Sequence, residues 1–256
     1  MYPEILSFKW VTLHTYGFFV AAGIIAGFQV SLKNARYRSL PAEYINQIFT
    51  GIVVCGLAGA RAAYVILSFN EYIHTPLRIL MFWEGGLVFA GSFIGSALWI
   101  LYSSHRSGYE LWSVVDVLAP GIALGHAVGR IGCFFAGCCY GKPTDLFTGI
   151  KFSDPRSLAY PLDVPLHPTQ IYSSVFMFIL SAVLYLKLKD GKTPNSGVFS
   201  LYLTAYGIFR VLIEFLRGDY RGTTLTGLTM TQWLALLCIA AGIYLMKKGV
   251  RTGKNG

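Results

Sequence analysis

The stretch His126-Ala127-Val128-Gly129-Arg130-Ile131-Gly132-Cys133-Phe134-Phe135-Ala136-Gly137-Cys138-Cys139-Tyr140-Gly141 holds an arginine inside apolar sequence and runs out into a loop opened by Lys142-Pro143-Thr144-Asp145. What surrounds it decides how to read it. If the flanking residues are membrane helix, a guanidinium at the bilayer centre costs about 2.5–3.5 kcal/mol on insertion scales, and such a residue marks a functional site whose partner has to be found.

The flanks are apolar in both directions. A spanning helix needs about 20 mostly apolar residues. One such run, Val114 to Ala136, carries Arg130 itself, with Asp116 and Pro120 near its start. Upstream lie Val11–Leu32, Ile45–Phe69 and a short, glycine-bearing Gly86–Tyr102; downstream lie Thr169–Leu188, Gly197–Leu216 and Met230–Met246. The totals agree: 54% of the 256 residues are hydrophobic and 13% charged, with a mean hydropathy of +0.54, where soluble domains carry roughly 25% charged residues. The expected fold class is an all-α integral membrane protein, with about seven transmembrane helices in one bundle. Residues 1–256 then form a single polytopic membrane domain, with a loop at about 139–168 that is too long to be an idle connection.

The net charge of +9 would point to nucleic acid in a soluble protein. Here the basic residues fall between apolar spans, where they set topology and meet anionic lipid, and no nucleic-acid partner is expected. Lys33, Arg36, Arg38, Arg106, Lys187, Lys189, Lys192 and the tail residues Lys247, Lys248, Arg251 and Lys254 share one side. Lys9, Arg78, Lys142, Lys151, Arg156, Arg217 and Arg221 share the other. The positive-inside rule then places the N-terminus outside, the C-terminus inside and the 139–168 loop on the periplasmic face of a bacterial inner membrane.

Arg61, Arg130 and Arg210 all fall within spans. Glu214, four residues after Arg210, shares its helical face and can pair with it; Asp116 is a partner for Arg61 or Arg130. Structural ion pairing between helices is one reading of the set. The other is an anion site, because arginine offers a rigid fork of donors that matches phosphate. A phosphate inside a bilayer protein is most simply a phospholipid head group. Gly125, Gly129, Gly132 and Gly137 would let the backbone approach such a ligand. Cys133, Cys138 and Cys139 are open to several readings: small apolar packing, a periplasmic disulfide between Cys133 and one of the adjacent pair, a metal site, though their spacing matches no established zinc pattern, or a direct catalytic thiol. An anion transporter or channel with the same arginines is the alternative from another class.

Several motifs, in order along most of the chain, resemble one family. Gly129-Arg130-Ile131-Gly132-Cys133-Phe134-Phe135-Ala136-Gly137 is similar to the signature of bacterial prolipoprotein diacylglyceryl transferases. Gly59-Ala60-Arg61 with Tyr64, Trp83-Glu84-Gly85-Gly86-Leu87, His167-Pro168-Thr169-Gln170-Ile171-Tyr172, and Tyr206-Gly207-Ile208-Phe209-Arg210 with Glu214, Phe215 and Arg217 resemble further segments of that family. The resemblance implies transfer of the diacylglyceryl group of phosphatidylglycerol to the lipobox cysteine of a preprolipoprotein, giving a thioether and glycerol 1-phosphate. It implies no metal and no organic cofactor. Its partners are phosphatidylglycerol, lipobox signal peptides and membrane lipid. It makes Arg130 and Arg210 the central functional residues. On that basis we expect the two to clamp the phosphate from two helices, with Glu214 orienting Arg210, Tyr16, His167 and Tyr206 bonding the head group or the peptide, and Arg61 and Gly129 also at the substrate.

This chain departs from the pattern in two places. Ala90, in Phe89-Ala90-Gly91-Ser92, stands where the family carries a third-span histidine, and Cys133, Ala136 and Cys138 stand where its signature has two asparagines and an acidic residue. A divergent relative that binds phospholipid without acting on lipobox peptides is therefore a further alternative. His126, one helical turn before Arg130, is the candidate to take the thiol proton in place of the missing histidine; packing or helix bonding is its plainer role.

Overall fold

The computed structural model describes residues 4–8, 11–73, 76–81, 85–219 and 227–252. An antiparallel ribbon, β1 (Glu4–Phe8) against β2 (Val11–His14), opens the chain and leads straight into α1 (Thr15–Asn34). The first span thus begins four residues later than its apolar run suggests, because Val11–His14 pairs with β1 instead of entering the helix. Then follow α2 (Ala42–Leu67), the single-turn α3 (Phe69–Tyr72), a 3-10 segment at Pro76–Leu80, α4 (Phe89–Ser107) and α5 (Leu111–Ala136). After the long loop come α6 (Thr169–Asp190), α7 (Gly197–Glu214) and α8 (Met230–Thr252). The stop signals are local: α4 and α6 both end on a left-handed glycine, Gly108 and Gly191, which accommodates that conformation without a Cβ clash.

Six helical stretches are long and apolar enough to cross a membrane: Thr15–Arg38, Ala42–Leu67, Leu111–Ala136, Thr169–Asp190, Gly197–Glu214 and Met230–Lys248. They make this a mostly helical, multi-pass membrane protein. The third expected span is a helix, α4, of 19 residues. Its Ser92, Ser96, Ser103, Ser104, His105 and Arg106 dilute its hydropathy, and it is not among the six. Large side chains such as Leu67, Phe89 and Phe93 point outward, as lipid-facing residues do. Trp83 and Glu84 of the motif before α4 lie outside the described residues.

The chain divides into two compact units, one formed by the segment up to Tyr37 together with the chain from Val115 onward, the other by Arg38–Val114. In the smaller unit α2 packs on α4 through Gly59 and Gly91, while Trp99 Nε1 donates to the Ile48 carbonyl at 3.1 Å and Ser96 Oγ to that of Ile52 at 3.0 Å. In the larger unit α1 meets α5 backbone to backbone. A Cβ built on Gly23 would lie 2.7 Å from the Gly125 carbonyl oxygen, and one on Gly27 would lie 2.7 Å from that of Gly121. Small residues at such contacts let helices associate where apolar burial gives no driving force.

On its other side α5 packs on α6 and α7 through Ala119, Ala123, Ala127, Met177, Leu180, Leu184 and Val198. Two serines bond across this contact: Ser174 Oγ to the Ala127 carbonyl at 2.9 Å and Ser181 Oγ to the Pro120 carbonyl at 2.8 Å. The loop after α5 is ordered. Its short ribbon, β3 (Ile150–Lys151) against β4 (Pro165–Leu166), encloses a small core of Phe152, Ala159 and Leu166.

Candidate active site

The C-terminal half of α5 carries His126, Arg130 and Cys133, all within the larger unit. Four-residue spacing puts His126 and Arg130 on one face, and Arg130 Nε donates to His126 Nε2 at 3.0 Å. From α7, the Tyr206 ring meets His126 edge-on, with centroids 5.6 Å apart, and stacks at 5.9 Å on Tyr202. Arg210, one turn further along α7, is close enough to His126 to act on it electrostatically, so the imidazole feels two guanidiniums. Arg210 Nη1 pairs with Glu214 Oε2 at 2.8 Å. The other oxygen of Glu214 accepts from Thr229 Oγ1 at 2.9 Å and Thr231 Oγ1 at 2.8 Å, at the start of α8. The i, i+4 pairing read from the sequence therefore forms, and threonines outside every sequence motif hold its acidic member.

The turn after α5 is fixed from two sides. Thr169 Oγ1 and Gln170 Nε2, at the start of α6, donate to the carbonyls of Cys139 (2.6 Å) and Cys138 (2.8 Å). The Gly141 N–H reaches the His167 carbonyl at 2.9 Å, and the Lys142 N–H reaches that of Leu216 at 2.8 Å. Gly218 N–H returns to the Tyr140 carbonyl at 3.1 Å. The His167 motif, the glycine–arginine motif and the end of the Tyr206 motif are thereby tied into one structure. His167 Nδ1 is buried and has no hydrogen-bond partner among the described residues. Cys139 is held at φ +64°, a left-handed conformation that non-glycine residues adopt at a cost. The turn brings the Sγ atoms of Cys133, Cys138 and Cys139 within 4.8 Å of one another.

Arg217, just beyond α7, completes the group. Its side chain is buried and makes a two-pronged ion pair with Asp219, Nε to Oδ1 at 2.7 Å and Nη2 to Oδ2 at 2.6 Å. Burial works against its charge, but the hydrogen bonds to Asp219 and to the Cys139 thiol more than offset it, so the guanidinium is held above its ordinary pKa. The Cys139 thiol in turn is drawn well below the usual thiol range by hydrogen bonds from Cys133 and Cys138, and the charges of Arg130 and Arg217 act in the same direction. Tyr16, at the start of α1, faces this group within electrostatic reach of the cysteines and Arg130. Its position is set by Gly132, against which the Tyr16 backbone packs, and by Phe19 stacking on Phe135 at 5.4 Å.

Tyr16, His126, Arg130, Tyr206, Arg210 and Glu214 therefore belong to one connected region, and His167 flanks it. Arg61 belongs to another set of contacts. It lies in the smaller unit, where four of its N–H groups go to backbone carbonyls: Nε to Ile79 at 2.9 Å, Nη1 to Gly85 at 2.8 Å and Gly86 at 3.4 Å, and Nη2 to Arg78. Tyr64 and Tyr72 flank the guanidinium. Asp116 is no partner for Arg130. The two are fourteen residues apart on α5, about 21 Å along a helix axis, and Asp116 Oδ1 caps α7 by accepting from the Phe199 N–H at 2.8 Å. Of the four glycines expected to admit a ligand, Gly125, Gly132 and Gly137 pack against protein. Only Gly129 has open space, since a Cβ there meets no heavy atom within 4 Å. Arg217, Thr229, Thr231, Thr169 and Gln170 escape the sequence reading as site residues. Arg217 had a signal, lying seven residues beyond Arg210 in the same motif, but as a charge at a span end it counts first as a topology marker.

The site thus belongs to a multi-pass helical membrane protein, with arginines from neighbouring elements gathered near a histidine, tyrosines and thiols. Comparison with known proteins gives that class its family. Residues 3–247 match the model of the prolipoprotein diacylglyceryl transferase family. The phosphatidylglycerol–prolipoprotein diacylglyceryl transferase of Clostridium tetani (strain Massachusetts / E88) is 37% identical over 247 residues, 96% of each chain. The transferase 2 of that name from Clostridium perfringens (strain 13 / Type A) is 35% identical over 244 residues, 94% of this chain and 92% of its own. That of Synechococcus sp. (strain CC9902) is 33% identical over 223 residues, 85% and 80% of the two chains. The chain belongs to the prolipoprotein diacylglyceryl transferase family.

Proposed function

We propose that this enzyme moves the diacylglyceryl group of phosphatidylglycerol to the lipobox cysteine of a preprolipoprotein, with Arg130 and Arg210 clamping the phosphate from two helices. A thioether product requires a new carbon–sulfur bond. The substrate sulfur attacks the glyceryl carbon that carries the phosphate ester, the carbon–oxygen bond breaks, and glycerol 1-phosphate leaves as a phosphate monoester. Negative charge grows on the departing phosphate. Preorganised guanidiniums in a low-dielectric site stabilise that charge without reorganising during the step. Family membership over nearly the whole chain supports the reaction over an anion transporter. The observation that supports the clamp is that His126 accepts from Arg130 and lies within electrostatic reach of Arg210.

Each remaining residue has a physical role in this reading. Glu214 holds Arg210 and is itself held by Thr229 and Thr231. Tyr206 and Tyr16 offer hydroxyls to the head group, His167 meets the head group or the peptide, and Gly129 leaves room for the lipid to approach α5. His126 aligns Arg130. The Nε2 lone pair that a base would use already accepts from Arg130 Nε, which leaves the ring proton of a neutral imidazole on Nδ1. Arg61 holds residues 78, 79, 85 and 86 by their carbonyls. The chain sits in the bacterial inner membrane with about seven helices, N-terminus out and C-terminus in, as one polytopic domain whose 139–168 loop faces the periplasm.

The direct test is depletion of a bacterium's own transferase followed by complementation with this chain. Mature lipoprotein accumulates if the reading holds. Good membrane expression with unmodified prolipoprotein would instead favour a phospholipid-binding relative, which the alanine at position 90 keeps in play.

A further inference from the structure

The transfer reaction needs a thiolate, and the groups positioned to make one are few. Position 90 is alanine, and His126 Nε2 is engaged by Arg130. The same end of α5 carries three thiols. Cys133 is 9% exposed in the last turns of the helix, and Cys138 and Cys139 are half-buried in the turn that follows. Their sulfurs lie within 4.8 Å of one another. Metal–thiolate bonds of about 2.3 Å put sulfurs of one tetrahedral or trigonal site about 3.8–4.0 Å apart, so the cluster needs to close by about 1 Å or less. The backbone around it is already fixed, by Thr169 on the Cys139 carbonyl and Gln170 on that of Cys138. Among the described residues no further histidine, cysteine, aspartate or glutamate joins the group.

We propose that Cys133, Cys138 and Cys139 form a site for a borderline-soft divalent cation of the zinc type, whose fourth coordination position takes the thiol of the lipobox cysteine. The inference rests on the transferase reading above. Three thiolates around such a cation leave one net negative charge, next to the guanidiniums of Arg217, which bonds Cys139, and Arg130, which interacts with Cys133 and Cys139. A metal with three protein ligands and one open position is the pattern of catalytic rather than closed structural sites. A thiol entering that position loses its proton to water and binds as thiolate. Its sulfur then attacks the glyceryl carbon, the carbon–oxygen bond to phosphate breaks, and the metal is neither oxidised nor reduced.

The test uses the full chain, reduced and purified in detergent. Cobalt(II) alone is titrated in and followed by its thiolate-to-metal charge-transfer absorption. Stoichiometric binding is expected, with a spectrum that shifts on adding a lipobox peptide and does not shift with the same peptide carrying alanine for cysteine. In parallel, zinc is expected to shield Cys133, Cys138 and Cys139 from alkylation while leaving Cys55 and Cys238 unshielded, as read by mass spectrometry on the unmodified sequence. This needs no variant to fold. A free thiol of pKa about 8.5 is about 3% ionised at pH 7, so stripping the metal with chelator is expected to slow transfer by up to about 30-fold there and to give a rate that rises with pH. Absence of cobalt absorption, unshielded cysteines, or transfer unchanged by chelation overturns the site and leaves the transferase intact. Metal binding with a peptide-dependent spectrum but no transfer would instead overturn the transferase reading.

Discussion

Arg61 and Arg210 are each 7% exposed on a long apolar helix, and their partners could hardly differ more. Arg61 spends its fork on the backbone carbonyls of residues 78, 79, 85 and 86. Such a guanidinium closes a loop: the carbonyls gain a donor, the cation gains solvation, and nothing in the arrangement calls for an outside anion. Arg210 is paired with a carboxylate that is itself pinned by two threonines, and it stands near a histidine that a second arginine already holds. There the local carboxylate orients the cation while the surrounding charge remains positive. Equal burial therefore does not mean equal purpose; what separates the two is whether backbone or side chains provide the partner.

The sharpest way to break the comparison is to keep the charge and remove the fork. Arg130→Lys and Arg210→Lys are each expected to lower kcat for diacylglyceryl transfer by about 10²–10³, the usual cost of one preorganised donor at a developing charge. Transfer of labelled lipid to a lipobox peptide measures it, and full activity in both would end the clamp. Next in size is the ion pair. Glu214→Gln leaves Arg210 buried with its carboxylate gone and is expected to cost about 3–5 kcal/mol of stability, seen in thermal unfolding in detergent. Combining it with Arg210→Met should recover most of that stability while transfer stays lost, which separates folding from chemistry in one cycle.

Arg61→Lys is expected to cost about 1.5–3 kcal/mol, the worth of a charged hydrogen bond, and to raise proteolysis at 76–86. The turnover per folded molecule should hold. Stable protein with lost turnover would put Arg61 back at the head group. The smallest effect is reserved for His126→Gln. The amide oxygen can still accept from Arg130 Nε, so turnover should stay within about tenfold, below the 10²–10⁴ expected for loss of a general base. A fall beyond that range would restore His126 as the base.

Most of the helices were legible because membrane spans announce themselves by length and hydropathy alone, and the Arg210–Glu214 pair because helical spacing fixes neighbours. What stayed hidden depended on contacts distant in sequence. Asp116 looks like a partner for Arg61 or Arg130, and nothing local shows that its Oδ1 caps α7 through the Phe199 N–H. Gly125 and Gly132 look like ligand cradles until α1 lies against them. Val11–His14 reads as helix because its hydropathy does not show that Glu4–Phe8, just upstream, pairs with it. The cysteines' meeting depends on a left-handed residue at position 139, which no pattern of hydropathy encodes.

The glycine seam between α1 and α5 carries a consequence for how the protein is made. Gly23 and Gly27 find their partners, Gly125 and Gly121, only after about a hundred more residues have been synthesised, a delay of about 5–20 s at ordinary rates of chain growth. During that interval α1 rests in lipid with a groove of bare backbone that nothing fills. The seam is thus a late docking event between helices already inserted, and it is what brings Tyr16 near Arg130.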